Sequence, residues 1–293
     1  MSRRYVHAVC VRCGREFLAY SHSVRHCSRR CANADSLSRR RALAVPDPSV
    51  FINWPSSTAA YVLGLMYADG CLSLVNGQPR LTIGMNDEQL MRSVHGLMCS
   101  PVRKLYHYGK QWVCISTNAE DVQFLRDQGL TERKSLTITW PRSLPDACFW
   151  PFVRGVFDGD GTVTVEYRLR ENGDLHARWN LTIVSGSSAF AVELCQQLNT
   201  RNVHTTMFTD TSGLYHVHVS TQVDARKMIA CMYADAAPRL VRKHGLCHVP
   251  VVLPCTPVVK TVLSRTGVIG YTKLRRTLIA ALVRMMRMIV YEH

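Results

Sequence analysis

Two segments of this chain follow one plan. Tyr61-Val62-Leu63-Gly64-Leu65-Met66-Tyr67-Ala68-Asp69-Gly70 and Phe152-Val153-Arg154-Gly155-Val156-Phe157-Asp158-Gly159-Asp160-Gly161 each read as a mostly apolar helix ending in a carboxylate and a glycine. Gly64 and Ala68, like Gly155 and Gly159, lie one turn apart on one helix face, so two such helices can approach more closely than bulky side chains permit. Close packing would bring Asp69 and Asp160 together at two helix C-termini. There the helix dipole disfavours a carboxylate by about 0.3–1 kcal/mol, and a second carboxylate adds repulsion. A divalent cation with oxygen ligands, Mg²⁺ or Mn²⁺, is the expected compensation. Gly70 and Gly161 are expected at the C′ position as left-handed helix stops.

The body between and around these motifs alternates helix and strand patterns. After the first motif come strands near Cys71–Val75 and Arg80–Met85, with Asn76-Gly77 as their turn. A helix follows over Asp87–Cys99, with Leu90, Met91, Val94, Leu97 and Met98 at helical spacing, then strands near Val102–His107 and Trp112–Ser116 and a helix over Ala119–Gln128. The second half repeats this order: strands Thr162–Arg170 and Ala177–Val184, helix Ser187–Thr200, strands Val203–Thr209 and Leu214–Ser220, helix Val223–Tyr233. Val113-Cys114-Ile115-Ser116-Thr117-Asn118 aligns with Val217-His218-Val219-Ser220-Thr221-Gln222 at an offset of 104, against 91 at the two Asp residues. The second copy thus carries thirteen more residues, expected in a longer hairpin around Arg168–His176.

The N-terminus is a separate matter. Cys10 and Cys13, then Cys27 and Cys31, form C-x2-C and C-x3-C pairs thirteen residues apart, a spacing suited to one tetrahedral Zn²⁺ at about 2.3 Å from each sulfur. Buried free thiols are the alternative, and His22 or His26 could replace one ligand. A closed shell is structural, and Arg12, Arg15, Arg25, Arg29 and Arg30 around it point to phosphate contact. The remaining cysteines, scattered singly from Cys71 to Cys255, are expected to pack as small apolar residues.

Charge is distributed unevenly. Of a formal +15, residues 1–41 hold +8 and residues 239–293 hold +9, which leaves the middle slightly acidic. Basic ends on a chain that is 47% hydrophobic describe a folded protein with a polyanionic partner. No signal-peptide pattern is visible, and Arg284 and Arg287 interrupt the apolar stretch Leu278–Val290. The expectation is an intracellular protein, cytoplasmic and nucleoid-associated or in a phage-infected host, with no membrane partner and no organic cofactor.

The paired motifs, the αββαββα order, and Arg133-Lys134-Ser135 ahead of Trp140-Pro141 resemble the two-repeat, monomeric LAGLIDADG homing endonucleases over about Ser57–Val249. The resemblance implies an α+β fold in which two pseudo-symmetric repeats form a DNA-binding saddle. It also implies that Asp69 and Asp160 bind the catalytic metal and that Lys134 and Lys243 support the active site. Asp158 falls at the place of Tyr67 and receives no role. Asn86, Asn180 and Ser185 are candidates for positioning water. Arg80, Arg168, Arg170, Arg178, His176 and Trp179 fall on expected strands as DNA contacts, as do Arg12, Arg29 and Arg30 on the zinc module. The division expected is residues 1–36 zinc module, 37–56 linker, 57–145 first repeat, 146–250 second repeat, and 251–293 a basic helical extension with a helix over Lys273–Tyr291.

The activity implied is metal-dependent, site-specific hydrolysis of both strands of duplex DNA. Because the chain runs from Met1-Ser2 to Glu292-His293, without intein splice residues, a free-standing protein is expected. A non-catalytic DNA-binding regulator and an RNA-binding intron maturase on the same scaffold stay open as alternatives.

Overall fold

The computed structural model describes residues 5–42, 45–219, 221–235, 237–254, 268–270 and 273–276. Two compact units are distinguished, Met1–Pro46 with Ser100–Arg103, and the remainder.

In the first unit, β1 (Val6–Val9) and β2 (Glu16–Ala19) form an antiparallel hairpin, followed by α1 (Arg29–Ala42). The helix runs through Ala42, so the linker expected over 37–56 does not exist as such: six of its residues continue α1. Its other end belongs to the second unit. Asp47 accepts from the backbone N–H and hydroxyl of Thr117, Ser49 donates to Asp121 at 2.5 Å, and Phe51 stacks on Phe124 at 4.3 Å. Prolines excluded regular structure here, and side-chain anchoring replaced it.

The second unit holds both repeats. The first comprises α2 (Ser57–Ala68), β3 (Gly70–Val75), β4 (Gln78–Met85), α3 (Glu88–Met98), β5 (Tyr106–Tyr108), β6 (Gln111–Ser116) and α4 (Ala119–Asp127). The second comprises α5 (Phe149–Asp160), β7 (Gly161–Leu169), β8 (Asp174–Ser185), α6 (Ser188–Thr200), β9 (Thr205–Thr209), β10 (Tyr215–Val219) and α7 (Gln222–Met232). After these come α8 (Val241–Cys247), β11 (Val252–Pro254) and β12 (Val268–Gly270). Each repeat is αββαββα, with sheet orders β3-β4-β6-β5 and β7-β8-β10-β9; β12 joins β7, and β11 joins β8. Most of the helix expected over Lys273–Tyr291 lies outside the described residues.

Local sequence explains the ends of these elements. Ser56, Asp87, Asn118, Ser187 and Thr221 each cap a helix by accepting a backbone N–H from the third residue on. Asn76 (φ 53°) and Gly77 (φ 73°) make the tight turn between β3 and β4. The strand expected from Val102 shrinks to Tyr106–Tyr108 because Pro101–Arg103 turn.

The strand registers correct the internal alignment. Ile83 faces Cys114 and Ile183 faces Val217, so Cys114 is equivalent to Val217, an offset of 103. The matching letter strings are one residue out of step, and a slip of one exchanges the two faces of a strand. Burial decides for the ladder: Cys114, Val217 and Val219 are all buried.

At the centre, α2 and α5 pack on each other. Every residue of α2 from Ala59 to Tyr67 is buried, as expected of a helix apolar all round. The sheets bury one face and expose the other: along β7, Gly161, Val163, Val165 and Tyr167 are buried while Thr162, Thr164 and Arg168 are exposed.

Candidate active site

The helix crossing depends on two glycines. A Cβ on Gly64 would stand 2.2 Å from the Phe152 carbonyl oxygen and 2.9 Å from the Gly155 Cα; one on Gly155 would stand 2.2 Å from the Tyr61 carbonyl oxygen. A turn further on, a Cβ on Gly159 would stand 2.3 Å from that of Ala68 and 3.1 Å from Asp69 Oδ2. The Asp69 carboxylate therefore lies against the last turn of α5, next to Asp160. Gly70 and Gly161 are not left-handed stops. Gly161 is extended (φ −86°, ψ 156°), and both glycines open strands. Their requirement is space: a Cβ would meet Met66 Cα at 2.5 Å in one case and the Phe157 carbonyl oxygen at 2.4 Å in the other.

Two lysines close the same helix ends. Lys134, in a 3₁₀ turn (Lys134–Leu136), is 6% exposed and donates to the carbonyls of Tyr67 (2.6 Å) and Ala68 (2.7 Å). Lys243, on α8 and 4% exposed, donates to the carbonyls of Phe157 (2.6 Å), Asp158 (2.8 Å) and Gly161 (2.5 Å). An ammonium group has three N–H donors, and all three of Lys243 face carbonyl oxygens. Each lysine thus satisfies orphan carbonyls and sets a positive charge where the dipole is negative. The compensation expected from a cation alone is partly supplied by the protein.

It is not enough. Burial, then the Asp69 charge, push Asp160 up to about 6 from an ordinary 3.8, against the pull of Lys134 and Lys243. Asp69 is raised by burial against the same two lysines. Burial lowers Lys243 to about 8 against the pull of Asp158, and lowers Lys134 against the pull of Asp160. Both aspartates are nevertheless open to solvent over part of their surface, where a ligand can reach them.

Two cavities flank the pair in repeat-related positions. One of about 560 Å³ is lined by Asp69, Asn86, Gln111, Gly159, Arg242 and Lys243, the other of about 260 Å³ by Ala68, Lys134, Ser135, Asp160, Ser185 and Leu214. Asn86 and Ser185 therefore reach the site, while Asn180 sits out on the sheet beside Thr164 (3.4 Å).

Asp158, two residues before Asp160, is withdrawn. It is 1% exposed and accepts from Tyr61 (2.9 Å), Tyr233 (3.2 Å) and the Leu240 N–H (2.7 Å). Beside it the fully buried Arg154 lies 5.1 Å over the Tyr61 ring and donates to Met232 O and Asp235. This network was missed from sequence; its one signal was an Arg and an Asp four apart in an otherwise apolar helix.

On the sheets, Arg168 and Arg170 are exposed, and Arg80, Arg178 and His176 are half-buried. Trp179 does not face outward as expected: it is 3% exposed and its indole donates to the Leu246 carbonyl. Its position in β8 alternates with that of Arg178, so the two cannot share a face.

In the first unit, Cys10, Cys13, Cys27 and Cys31 place their sulfurs within 4.8 Å of one another, with Cys13 to Cys27 at 3.6 Å and Cys27 to Cys31 at 3.7 Å. A tetrahedral Zn²⁺ at 2.3 Å from each sulfur requires about 3.8 Å between them. Gly14 (φ 71°) donates to the Cys10 carbonyl and turns the chain around the cluster. Backbone N–H donors, that of Cys27 first, lower Cys10 to about 6, whereas its hydrogen bond with Cys13 raises Cys27 to about 12. Four thiols so close cannot all ionise without a cation, and the donor set fits zinc. His26 is not among the four clustered ligands and hydrogen-bonds Asp35 through Nε2 at 3.1 Å. Arg12, Arg29 and Arg30 are exposed around the cluster. Cys71 is exposed as well, contrary to the expectation of packing.

Fold and site together define a two-repeat α/β protein with one acidic couple at a helix crossing. No protein-family model matches the chain, and no curated protein does. Similar solved structures are LAGLIDADG homing endonucleases. They include I-AabMI bound to uncleaved DNA (13% identical, 66% of this chain and 88% of that one, TM-score 0.46). Others are I-SmaMI bound to uncleaveable DNA (13%, 64% and 86%, 0.42) and I-DmoI in complex with DNA and Mn (14%, 61% and 98%, 0.41).

Proposed function

We propose that this chain is a LAGLIDADG-type endonuclease that hydrolyses phosphodiester bonds on both strands of a long duplex DNA site. The observation that carries the reading is the acidic couple: Asp69 and Asp160 meet at the glycine crossing, and Asp160 stays raised to about 6 with two buried lysines already counted. Mg²⁺ or Mn²⁺ held there would activate water and offset charge on the leaving 3′ oxygen.

The rest belongs to the protein. Asp69, which lines one cavity, and Asp160, which lines the other, are the residues that would hold the cation. Lys134 and Lys243 are positioning residues: Lys243 spends all three donors and Lys134 two of its three on backbone carbonyls, so they fix the helix ends and lend positive charge there. Asn86 in one cavity and Ser185 in the other are polar groups at strand ends that would position the attacking water. The open sheet faces, with Arg80, Arg168, Arg170 and Arg178, meet the major groove, and the arginines around the cysteine cluster meet phosphates. The chain therefore acts on DNA inside cells.

The testing experiment challenges the protein with its own uninterrupted gene locus and Mg²⁺. Asp160→Asn is expected to keep DNA binding within a few-fold while double-strand cutting disappears. Equal cutting by variant and wild type would refute the assignment. Loss of cutting with uninterrupted binding by the wild type itself would favour a DNA-binding regulator.

A further inference from the structure

The second sheet carries an arm that the first lacks. The β3–β4 ladder has six pairs and ends at Val75↔Gln78. The β7–β8 ladder passes the equivalent pair, Glu166↔Arg178, and continues through Tyr167↔Ala177, Arg168↔His176 and Leu169↔Leu175. Three more pairs at about 3.4 Å per residue lengthen the second sheet by about 10 Å. A two-stranded ribbon projecting by itself is marginally stable in water. Here both edges are covered by the C-terminal segment: β12 pairs Val268–Gly270 with Arg168–Glu166, and β11 pairs Val252–Pro254 with His176–Asp174. Tyr167 donates to the Pro250 carbonyl at 2.5 Å, and Tyr167, Leu175, Ile269 and Leu274 are buried as part of the hydrophobic core.

One face of the arm stays open. By register it presents Arg168, His176 and Arg178, with the exposed Arg170 one residue past the end of β7, Glu166 3.7 Å from Arg168 and Asp174 accepting from Asn172. Lys273, Arg275 and Arg276, after β12, are exposed as well. The face is continuous with Thr162, Thr164, Asn180 and Thr182, which lead back along the sheet to the acidic couple.

We infer that this buttressed arm reads duplex DNA beyond the reach of the first sheet, so the recognised site is asymmetric. It is longer by about three base pairs on the side of the second repeat, at 3.4 Å per pair. The inference rests on the nuclease reading only in that the open sheet faces are the DNA-facing ones. The C-terminal segment is then a specificity element that acts by stiffening β7 and β8.

The test is selection from a randomised duplex library with the full-length protein, beside the double variant R168A/H176A and the variant Tyr167→Phe. Wild type is expected to enrich a motif with unequal arms. R168A/H176A should lose preference at the outermost three positions of the longer arm, bind the selected site about tenfold more weakly, and bind a duplex shortened on that side as wild type does. Tyr167→Phe, which keeps the packed ring, should blur the same positions. A motif of equal arms, or loss of preference confined to central positions, overturns the arm proposal. Enrichment of no duplex overturns it together with the nuclease reading.

Discussion

Replacing Gly155 by alanine exchanges a hydrogen for a methyl group at the helix crossing. The new Cβ would stand 2.2 Å from the Tyr61 carbonyl oxygen and 2.9 Å from both Gly64 Cα and Leu65 N, where ordinary contact begins near 3.4 Å. All three neighbours are backbone atoms of α2, so no rotamer change relieves the clash. The helices must separate by about 1.2 Å. Overpacking of this kind costs about 1–3 kcal/mol or more, and the helix propensity of alanine over glycine returns only about 1. Net destabilisation of about 2 kcal/mol is expected, read as a lower midpoint of urea denaturation at unchanged slope. The control is Gly96→Ala in α3, where a Cβ meets nothing within 4 Å; it should gain about 0.5–1 kcal/mol. Moving α2 from α5 also moves Asp69 from Asp160, and a shift near 1 Å typically costs about a hundredfold in rate. If Gly155→Ala matched Gly96→Ala in midpoint and kept full cleavage, the close crossing would be refuted as the basis of the site.

Two further perturbations act on charge. The Asp160 value is raised from 3.8 to about 6, so the folded metal-free protein holds a proton that the unfolded chain has lost; the contribution of this one group to stability falls as pH rises between those values and is flat above. Divalent metal must displace that proton, so Mn²⁺ affinity measured by calorimetry should climb about tenfold per unit up to pH 6 and then level, and a flat profile from pH 5 to 6 would contradict the coupling. Removal of zinc by chelation, or Cys10→Ser with Cys13→Ser, should unfold β1, β2 and their surroundings while the second unit keeps its unfolding transition. Unchanged circular dichroism with no metal lost by elemental analysis would count against the cysteine site.

Much of this was legible in the residues because the signals were local or repeated. The glycine spacing foretold the crossing, Asn76-Gly77 foretold the turn with both φ angles positive, and the four cysteines foretold their cluster. What escaped depended on contacts between distant segments. Lys134 and Lys243 were visible as residues, but they reach carbonyls 67 and 86 positions away from a 3₁₀ turn and a seven-residue helix that no periodicity announces. The letter match sets Ile115 against Val219, whereas the ladders make it equivalent to His218, because letters ignore the burial that the ladder obeys. Trp179 was placed outward because its neighbours are basic, while strand alternation points it into the core.

Asp158 and Asp160 show why charge in a motif is a poor guide to role. They are two residues apart at the end of one helix, and both are raised above an ordinary carboxylate by burial. Asp158 turns toward α2 and α7, where Tyr61, Tyr233 and the Leu240 N–H occupy its oxygens. With three donors satisfied, nothing about it calls for a cation. Asp160, rotated by about 200° around the same axis, looks into the space that Asp69 shares and finds a second negative charge instead of donors. The first carboxylate binds helices to one another; the second is left with a need that only something from solution can meet.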